Sequence, residues 1–196
     1  MKRTIYLLRH GETDWNAAGR LQGHTDTPLN EKGREQARRA AELLREHPIG
    51  HTISSDLSRA RETADIVAHT LGIRVDVDPA LRERCFGIFE GLTWQEVSER
   101  YPQHHAAYMD DRTTRVPGAE TLEEVGQRTL HAVRNRLVHA TVERTILVVT
   151  HGGVMRSLIG NVWKPGPGRP SAVPNAVPFR VVLEHGVIVA AEALGP

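Results

Sequence analysis

Apolar residues recur along this chain in two alternating patterns, short continuous runs and longer stretches with helical spacing. The continuous runs predict β-strands at residues 4–8, 52–54, 73–77 and 145–150 and on both sides of a turn at 184–186. The run at 145–150 is rich in β-branched residues, which is typical of a central strand buried on both faces. The periodic stretches predict helices over 30–47, 58–72, 93–100 and 154–161 and from residue 121 onwards.

The ends of the predicted helices coincide with residues that cap helices. Asn30 suits an N-cap, Gly72 suits a C-cap, and Thr121 followed by Glu124 has the spacing of a capping box. Strands that alternate with helices indicate an α/β fold. We therefore expect a three-layer α/β/α sandwich around a mainly parallel sheet.

Residues 81–118 break this alternation, with scattered Gly, His, Asp and Pro residues and one short predicted helix. We interpret the segment as a short capping excursion over the carboxyl ends of the strands. Together with a loop rich in proline and glycine at 164–178, it is expected to shape specificity. Because no repeat, low-complexity tract or linker divides the chain, residues 1–196 are expected to form a single domain.

Composition excludes several classes of protein. The 25 Lys and Arg residues are balanced by 24 Asp and Glu, for a formal net charge of +1, and no basic stripe indicates nucleic-acid binding. The single cysteine, Cys85, excludes a disulfide framework and sites with several cysteine ligands. The apolar stretch before Arg9 is too short for a signal-peptide core or a membrane span. The expected location is the cytoplasm, with no membrane partner.

Two predicted strands end in the same way, in a histidine followed by glycine. Arg9 and His10 follow the strand at 4–8, and His151 follows the strand at 145–150. Ligands of open parallel sheets bind outside the carboxyl ends of the strands, so both histidines can face one crevice. A third strand end leads to Arg59, in the first turn of the next helix. Two arginines and two histidines near helix N-termini predict a phosphate ligand.

Five ordered motifs carry a family resemblance, between residue 5 and about residue 162. They are Arg9-His10-Gly11-Glu12-Thr13 with Trp15-Asn16; Gly23 through Pro28-Leu29-Asn30; Ser54-Ser55-Asp56-Leu57-Ser58-Arg59-Ala60; Leu81-Arg82-Glu83 with Gly87 and Glu90-Gly91; and Thr150-His151-Gly152-Gly153. Together they resemble the histidine phosphatase superfamily, in its phosphoglycerate-mutase-like branch.

This resemblance implies a phosphomonoester hydrolase that acts on a small phosphorylated metabolite through a phosphohistidine. His10 would be the nucleophile, and Glu83 would protonate the leaving alkoxide and then activate water. The phosphoryl oxygens would be bound by Arg9, Asn16, Arg59 and His151, of which His151 also counts as catalytic. Because these side chains meet the charge of the phosphate, no metal and no cofactor is expected. The alternative for Glu83 is an ion pair with Arg82 or Arg84.

Other functions stay open at this point. The span between Glu90 and Pro117 is short for a mutase, and its clustered cations, Arg112 and Arg115, lie among few apolar anchors. This favours hydrolysis over a 2,3-bisphosphoglycerate-dependent phosphoglycerate mutase, which is the first alternative. A non-catalytic phosphate-binding module is the second.

Two other phosphatase chemistries fit the sequence poorly. Asp76 begins a motif like that of the magnesium-dependent aspartyl-phosphate enzymes, but Ala80 stands where a hydroxyl residue is usual. A cysteine phosphatase loop would need arginine six residues after Cys85, and that position is Gly91.

Overall fold

Strands and helices alternate as predicted in a computed structural model that describes residues 2–111, 113–138, 145–163 and 173–195. Within these ranges six strands form one sheet in the order β3-β2-β4-β1-β5-β6. They are β1 (Lys2–Arg9), β2 (Ile49–Ser54), β3 (Val75–Val77), β4 (Thr145–Thr150), β5 (Pro178–Glu184) and β6 (Val187–Ala193). The first four strands in this order are parallel, and β5 and β6 continue the sheet antiparallel. The central position of β4 confirms the prediction from its β-branched run.

Helices cover both faces of the sheet. The described helices are α1 (Asp14–Ala17), α2 (Glu31–Leu44), α3 (Ser58–Leu71), α4 (Trp94–Arg100), α5 (Pro102–Asp110), α6 (Leu122–Val138) and α7 (Gly152–Ile159). Small residues of α2 and α3, such as Ala41 and Ala64, pack on one face of the sheet. Larger residues of α6 and α7, such as Val133 and Met155, pack on the other. The three-layer α/β/α arrangement is therefore confirmed.

Capping residues define several helix ends as predicted. The Asn30 side chain accepts the Gly33 N–H, and Gly72 ends α3 at φ +67°. Thr121 and Glu124 exchange the two hydrogen bonds of a capping box. Helix α2 ends earlier than predicted, at Leu44, and α7 runs over Gly152–Ile159 instead of 154–161. No helix in the described ranges is long and apolar enough to cross a membrane.

The excursion carries α4, α5 and a small apolar core of its own. This cluster contains Phe89, Val97, Tyr108, Val116 and Ala119. The expectation of few apolar anchors in this segment was wrong, because these side chains meet only when α4 and α5 pack together. Arg115 pairs with Glu124 at the start of α6. Arg112 lies outside the described residues.

Candidate active site

Strand register brings the two histidines together. Arg9 of β1 pairs with Thr150 of β4, so His10 and His151 leave adjacent parallel strands at the same level. The His10 N–H donates to the Thr150 carbonyl at 2.9 Å, and the two imidazole centroids are 5.1 Å apart. On the other side of β4, the Ser55 hydroxyl lies 2.9 Å from His151 Nε2. Three strand ends thus meet at one edge of the sheet.

A cavity of about 500 Å³ opens at this edge. Its lining includes five of the six residues predicted for the site, Arg9, His10, Asn16, Arg59 and Glu83. The sixth, His151, is fully buried beside His10. Its Nδ1 atom is buried and has no hydrogen-bond partner in the described ranges, so it is a polar atom that a ligand could satisfy.

The His10 imidazole is held in a form suited to nucleophilic attack. Its Nδ1 lies 2.6 Å from the Gly11 carbonyl oxygen. Because a carbonyl can only accept a hydrogen bond, Nδ1 carries the proton. Burial, and then the charges of Arg9 and Arg59, hold the pKa of His10 well below its ordinary value. The ring is therefore neutral near pH 7, and the Nε2 lone pair is free.

Arg59 is fully buried and Arg9 is partly buried, and neither has a carboxylate partner in the described ranges. Arg9 donates to the Val173 carbonyl at 2.6 Å. Arg59 donates to the carbonyls of Gly23 and Thr25 at 2.8 and 2.9 Å. The Nε atom of each guanidinium has no partner in the same ranges. Burial lowers the pKa of Arg59 to about 10, so that it stays charged at neutral pH. Two neighbouring cations, one fully and one partly buried, favour a bound anion.

Hydrogen bonds fix the orientation of the Asn16 amide. Its Oδ1 accepts the backbone N–H and the hydroxyl of Thr13, both at 3.2 Å, and the Asn175 amide at 3.4 Å. With Oδ1 occupied by these donors, the NH₂ group of Asn16 is left for the cavity. A neutral donor is thereby added to the two guanidinium groups.

The Glu83 carboxyl lies between two backbone donors. Oε1 accepts the Arg84 N–H at 2.8 Å, and Oε2 accepts the Gly153 N–H at 3.0 Å. The alternative predicted from the sequence, an ion pair with a neighbouring arginine, is not formed. Arg82 binds Asp56 instead. The Glu83 carboxyl is thus placed on the cavity wall by the backbone.

Arg84 is a lining residue that the sequence did not indicate. Its guanidinium lies over the rings of Phe86 and Tyr108, at 5.5 and 5.3 Å, and donates to the Tyr108 hydroxyl and the Glu120 carbonyl. Arg20 and Arg156 also line the cavity. Glu83 is the one carboxylate among the described lining residues, so the cavity is strongly electropositive. Local sequence gave no signal for Arg84, because it lies in an irregular segment without periodicity.

The rival motifs lie elsewhere. Asp76 is on the edge strand β3, where it binds His51 and Arg136. Cys85 donates to the Gly118 carbonyl. Among the residues that the structure describes, no group of three or more His, Cys, Asp or Glu side chains is arranged to hold a metal ion.

Comparisons with known proteins agree with this geometry. Residues 5–186 match the family model of the histidine phosphatase superfamily (branch 1). The chain is 46% identical over 158 residues to phosphoglycerate mutase-like protein 4 of Arabidopsis thaliana, covering 79% of this chain and 68% of that protein. It is 40% identical over 159 residues to a metal-independent phosphoserine phosphatase of the same plant, covering 79% of this chain and 66% of that protein.

The fold is similar to that of a mycobacterial glucosyl-3-phosphoglycerate phosphatase solved with VO3. The TM-score is 0.81 and the sequence identity 32%, over 97% of this chain and 97% of that chain. Family model, sequence relatives and fold therefore point the same way. The chain belongs to the histidine phosphatase superfamily of enzymes.

Proposed function

We propose that this protein is a phosphomonoester hydrolase that transfers the phosphoryl group of a small phosphorylated metabolite to His10 and then to water. The observation that carries the proposal is the state of His10. Its Nδ1 lies 2.6 Å from the Gly11 carbonyl oxygen, and burial together with the charges of Arg9 and Arg59 holds its pKa well below the ordinary value. A neutral imidazole beside an electropositive pocket is suited to attack a phosphate dianion.

In the first step, His10 Nε2 attacks phosphorus in line with the ester oxygen. The P–N bond forms as the P–O bond breaks, and the electron pair of that bond goes to the leaving oxygen. Glu83, in its protonated form, donates a proton to this oxygen, so the product leaves as an alcohol. Arg9, Arg59 and the Asn16 amide bind the equatorial oxygens, whose charge rises in the transition state.

In the second step, water attacks the phosphohistidine. Glu83 is now a carboxylate and takes one proton from the attacking water. The P–N bond breaks, its electron pair returns to Nε2, and inorganic phosphate is released. The neutral His10 and the protonated Glu83 are thereby restored, so the net reaction consumes one ester and one water.

Trapping of the intermediate tests this proposal. After brief mixing with labelled substrate and rapid quenching, we expect an acid-labile, alkali-stable adduct on the peptide that contains His10. His10→Asn should abolish labelling and turnover, whereas His69→Gln, an exposed histidine of α3, should change neither. Because the arginines supply the charge that a metal would supply, turnover should persist after dialysis against EDTA. Label on Asp76, or loss of activity restored by magnesium, would contradict the proposal.

Phosphoglycerate mutase activity is the second candidate, favoured by Arg84 and Arg156, which line the cavity and suit a second anionic group. A mutase must also keep the phosphoryl group from water, and Arg115 of the short excursion is engaged by Glu124 instead of the cavity. With 3-phosphoglycerate and a 2,3-bisphosphoglycerate primer we therefore expect slow hydrolysis or no reaction. Primer-dependent isomerisation with kcat/KM above about 10⁴ M⁻¹s⁻¹, a value typical of efficient enzymes, would favour the mutase.

A further inference from the structure

Arg128 of α6 uses its whole guanidinium group to hold the segment that carries Glu83. Its Nε and Nη2 atoms donate to the two carboxylate oxygens of Glu120, each at 2.8 Å. Nη1 donates to the carbonyls of Ala80 and Arg82 at 2.8 Å, and Nη2 also donates to the Glu83 carbonyl at 3.0 Å. These five bonds account for all five N–H donors of an arginine.

The segment held in this way has little support from regular secondary structure. After the short 3₁₀ turn Pro79–Leu81, the chain enters no strand or helix until Gly87–Phe89. Side chains of the surrounding elements bind its carbonyls instead. Thr150 donates to the Leu81 carbonyl at 2.8 Å, and His24 Nε2 lies 2.9 Å from the Glu83 carbonyl. Arg128 binds more of these carbonyls than any other described side chain.

We propose that Arg128 is a positioning residue for proton transfer, acting through Glu83. Arg128 itself is not among the described lining residues of the cavity. The bonds from Arg128 to the carbonyls of Ala80, Arg82 and Glu83 fix the position of the Glu83 backbone relative to the N-terminus of α7. At that N-terminus, the Gly153 N–H donates to the Glu83 carboxyl. This inference rests on the proposed function, in which Glu83 transfers the proton.

Lysine cannot replace the hydrogen bonds of the Arg128 guanidinium group. An ammonium group keeps the charge but offers a compact donor in place of a planar guanidinium, and it cannot bind Glu120 and three carbonyls together. In Arg128→Lys, the 80–83 segment is therefore free to shift. A small displacement of a general acid lowers the rate for a substrate whose leaving group needs a proton. A substrate whose leaving group needs none is hardly affected.

The experiment compares 2-glycerophosphate, an alkyl ester, with p-nitrophenyl phosphate, whose leaving anion is stable. Arg128→Lys should lower kcat for the alkyl ester by about 10- to 100-fold, which is no more than the rate usually lost when a general acid is removed. It should lower kcat for the nitrophenyl ester by about 3-fold or less. Competitive inhibition by inorganic phosphate should be unchanged. In a Glu83→Gln background, Arg128→Lys should add almost no further loss, because its effect passes through Glu83.

Arg134→Lys is the matched control, because Arg134 lies on the same helix and donates to the Gly186 carbonyl far along the chain. It should leave both rates unchanged. If Arg128→Lys does not fold, Glu120→Gln can be used instead, because it weakens the paired hydrogen bonds between Arg128 and residue 120. It should likewise lower kcat for the alkyl ester more than kcat for the nitrophenyl ester.

Equal losses on both esters, no loss on either, or multiplicative losses in the double variant would overturn the role of Arg128. A separate result would remove the proposed function itself. If the wild-type protein hydrolyses neither ester, or Glu83→Gln shows no preference between them, the acid role of Glu83 fails and this inference falls with it.

Discussion

Two consecutive glycines, Gly152 and Gly153, leave the space in which two site residues lie. A Cβ atom on Gly153 would overlap Oε1 of Glu83, and one on Gly152 would lie 3.3 Å from Nε of Arg9. The backbone of both residues is helical, so the requirement is for space and not for an unusual φ angle. Glycine at the start of α7 therefore lets the helix N-terminus approach Glu83 directly.

Gly153→Ala should impair catalysis without unfolding the protein. The new methyl group displaces the flexible Glu83 carboxyl, so kcat for an alkyl phosphate should fall by about 10²-fold, within the range of a lost acid–base group. Because alanine favours helix by about 1 kcal/mol over glycine, the free energy of unfolding should not decrease. Steady-state rates and urea denaturation measure the two effects. Gly126→Ala on α6 is the control for rate, and an unchanged rate in Gly153→Ala would contradict the assignment of Glu83.

Position directly after a predicted strand was the feature of the sequence that identified site residues. His10, Arg59 and His151 could be placed together from sequence because parallel strands deliver their carboxyl ends to one edge. Arg84 and Arg128 could not be placed at the site from sequence. Arg84 follows no regular element, and Arg128 occupies a helix position that spacing alone does not distinguish from a solvated arginine. Their placement depends on how the irregular 80–83 segment packs between α6 and the sheet.

Among the secondary-structure elements, helix α2 packs with its backbone directly against the backbone of the loop that follows β1. A Cβ atom on Gly33 of α2 would overlap the Glu12 carbonyl oxygen, and one on Gly11 would overlap the Gly33 carbonyl oxygen. The Asn30 N–H donates to the same Glu12 carbonyl at 3.0 Å. The first turn of α2 thus supports the loop that begins at His10.

Gly33→Ala should destabilise the fold, although alanine is the better helix former. The methyl group meets backbone atoms, which cannot move aside like a side chain, and overpacking of this kind costs about 1–3 kcal/mol. Gly126→Ala makes the same change within α6, where the Cβ would lie 3.6 Å from Ser157 Cβ, an ordinary contact. That control should be stabilised by up to about 1 kcal/mol. Equal shifts of the two urea midpoints would show that Gly33 is not constrained.

The alternation of strands and helices was predictable because most elements bury one regular face. Helix α5 was missed for the converse reason, because it has one buried residue, Tyr108, and therefore no periodic apolar face. The same residue completes the apolar core of the excursion with Phe89 and Val116, which are distant in sequence. A core assembled from single residues of several short elements leaves no periodic pattern.

At the scale of the whole molecule, a formal net charge of +1 conceals a marked separation of charge. Many surface arginines pair with carboxylates, as Arg34 does with Glu62. The cavity instead collects arginines around one glutamate and the neutral His10, with the neutral His151 buried beside it. The burial that makes these histidines suitable for catalysis also links the site to the stability of the fold.

Acidification should therefore destabilise the protein before its carboxylates titrate. Burial is the main cause that holds the pKa of both His10 and His151 well below 6.5, and nearby cations add to it. In the unfolded chain each histidine titrates near its ordinary value of about 6.5. As the pH falls below that value, the unfolded chain binds protons that the folded protein does not, so the free energy of unfolding decreases.

Between pH 6.5 and pH 5.5 this linkage amounts to about 1 kcal/mol for each histidine. Urea denaturation at pH 7.5, 6.5 and 5.5 should show the loss in the wild-type protein. His151→Asn, whatever its stability at pH 7.5, should lose about 1 kcal/mol less over the same interval, because one of the two groups no longer titrates. The exposed His69→Gln is the matched control and should follow the wild-type slope. Parallel slopes for wild type and His151→Asn would show that folding does not lower the pKa of His151, and its role as a neutral neighbour of His10 would then be wrong.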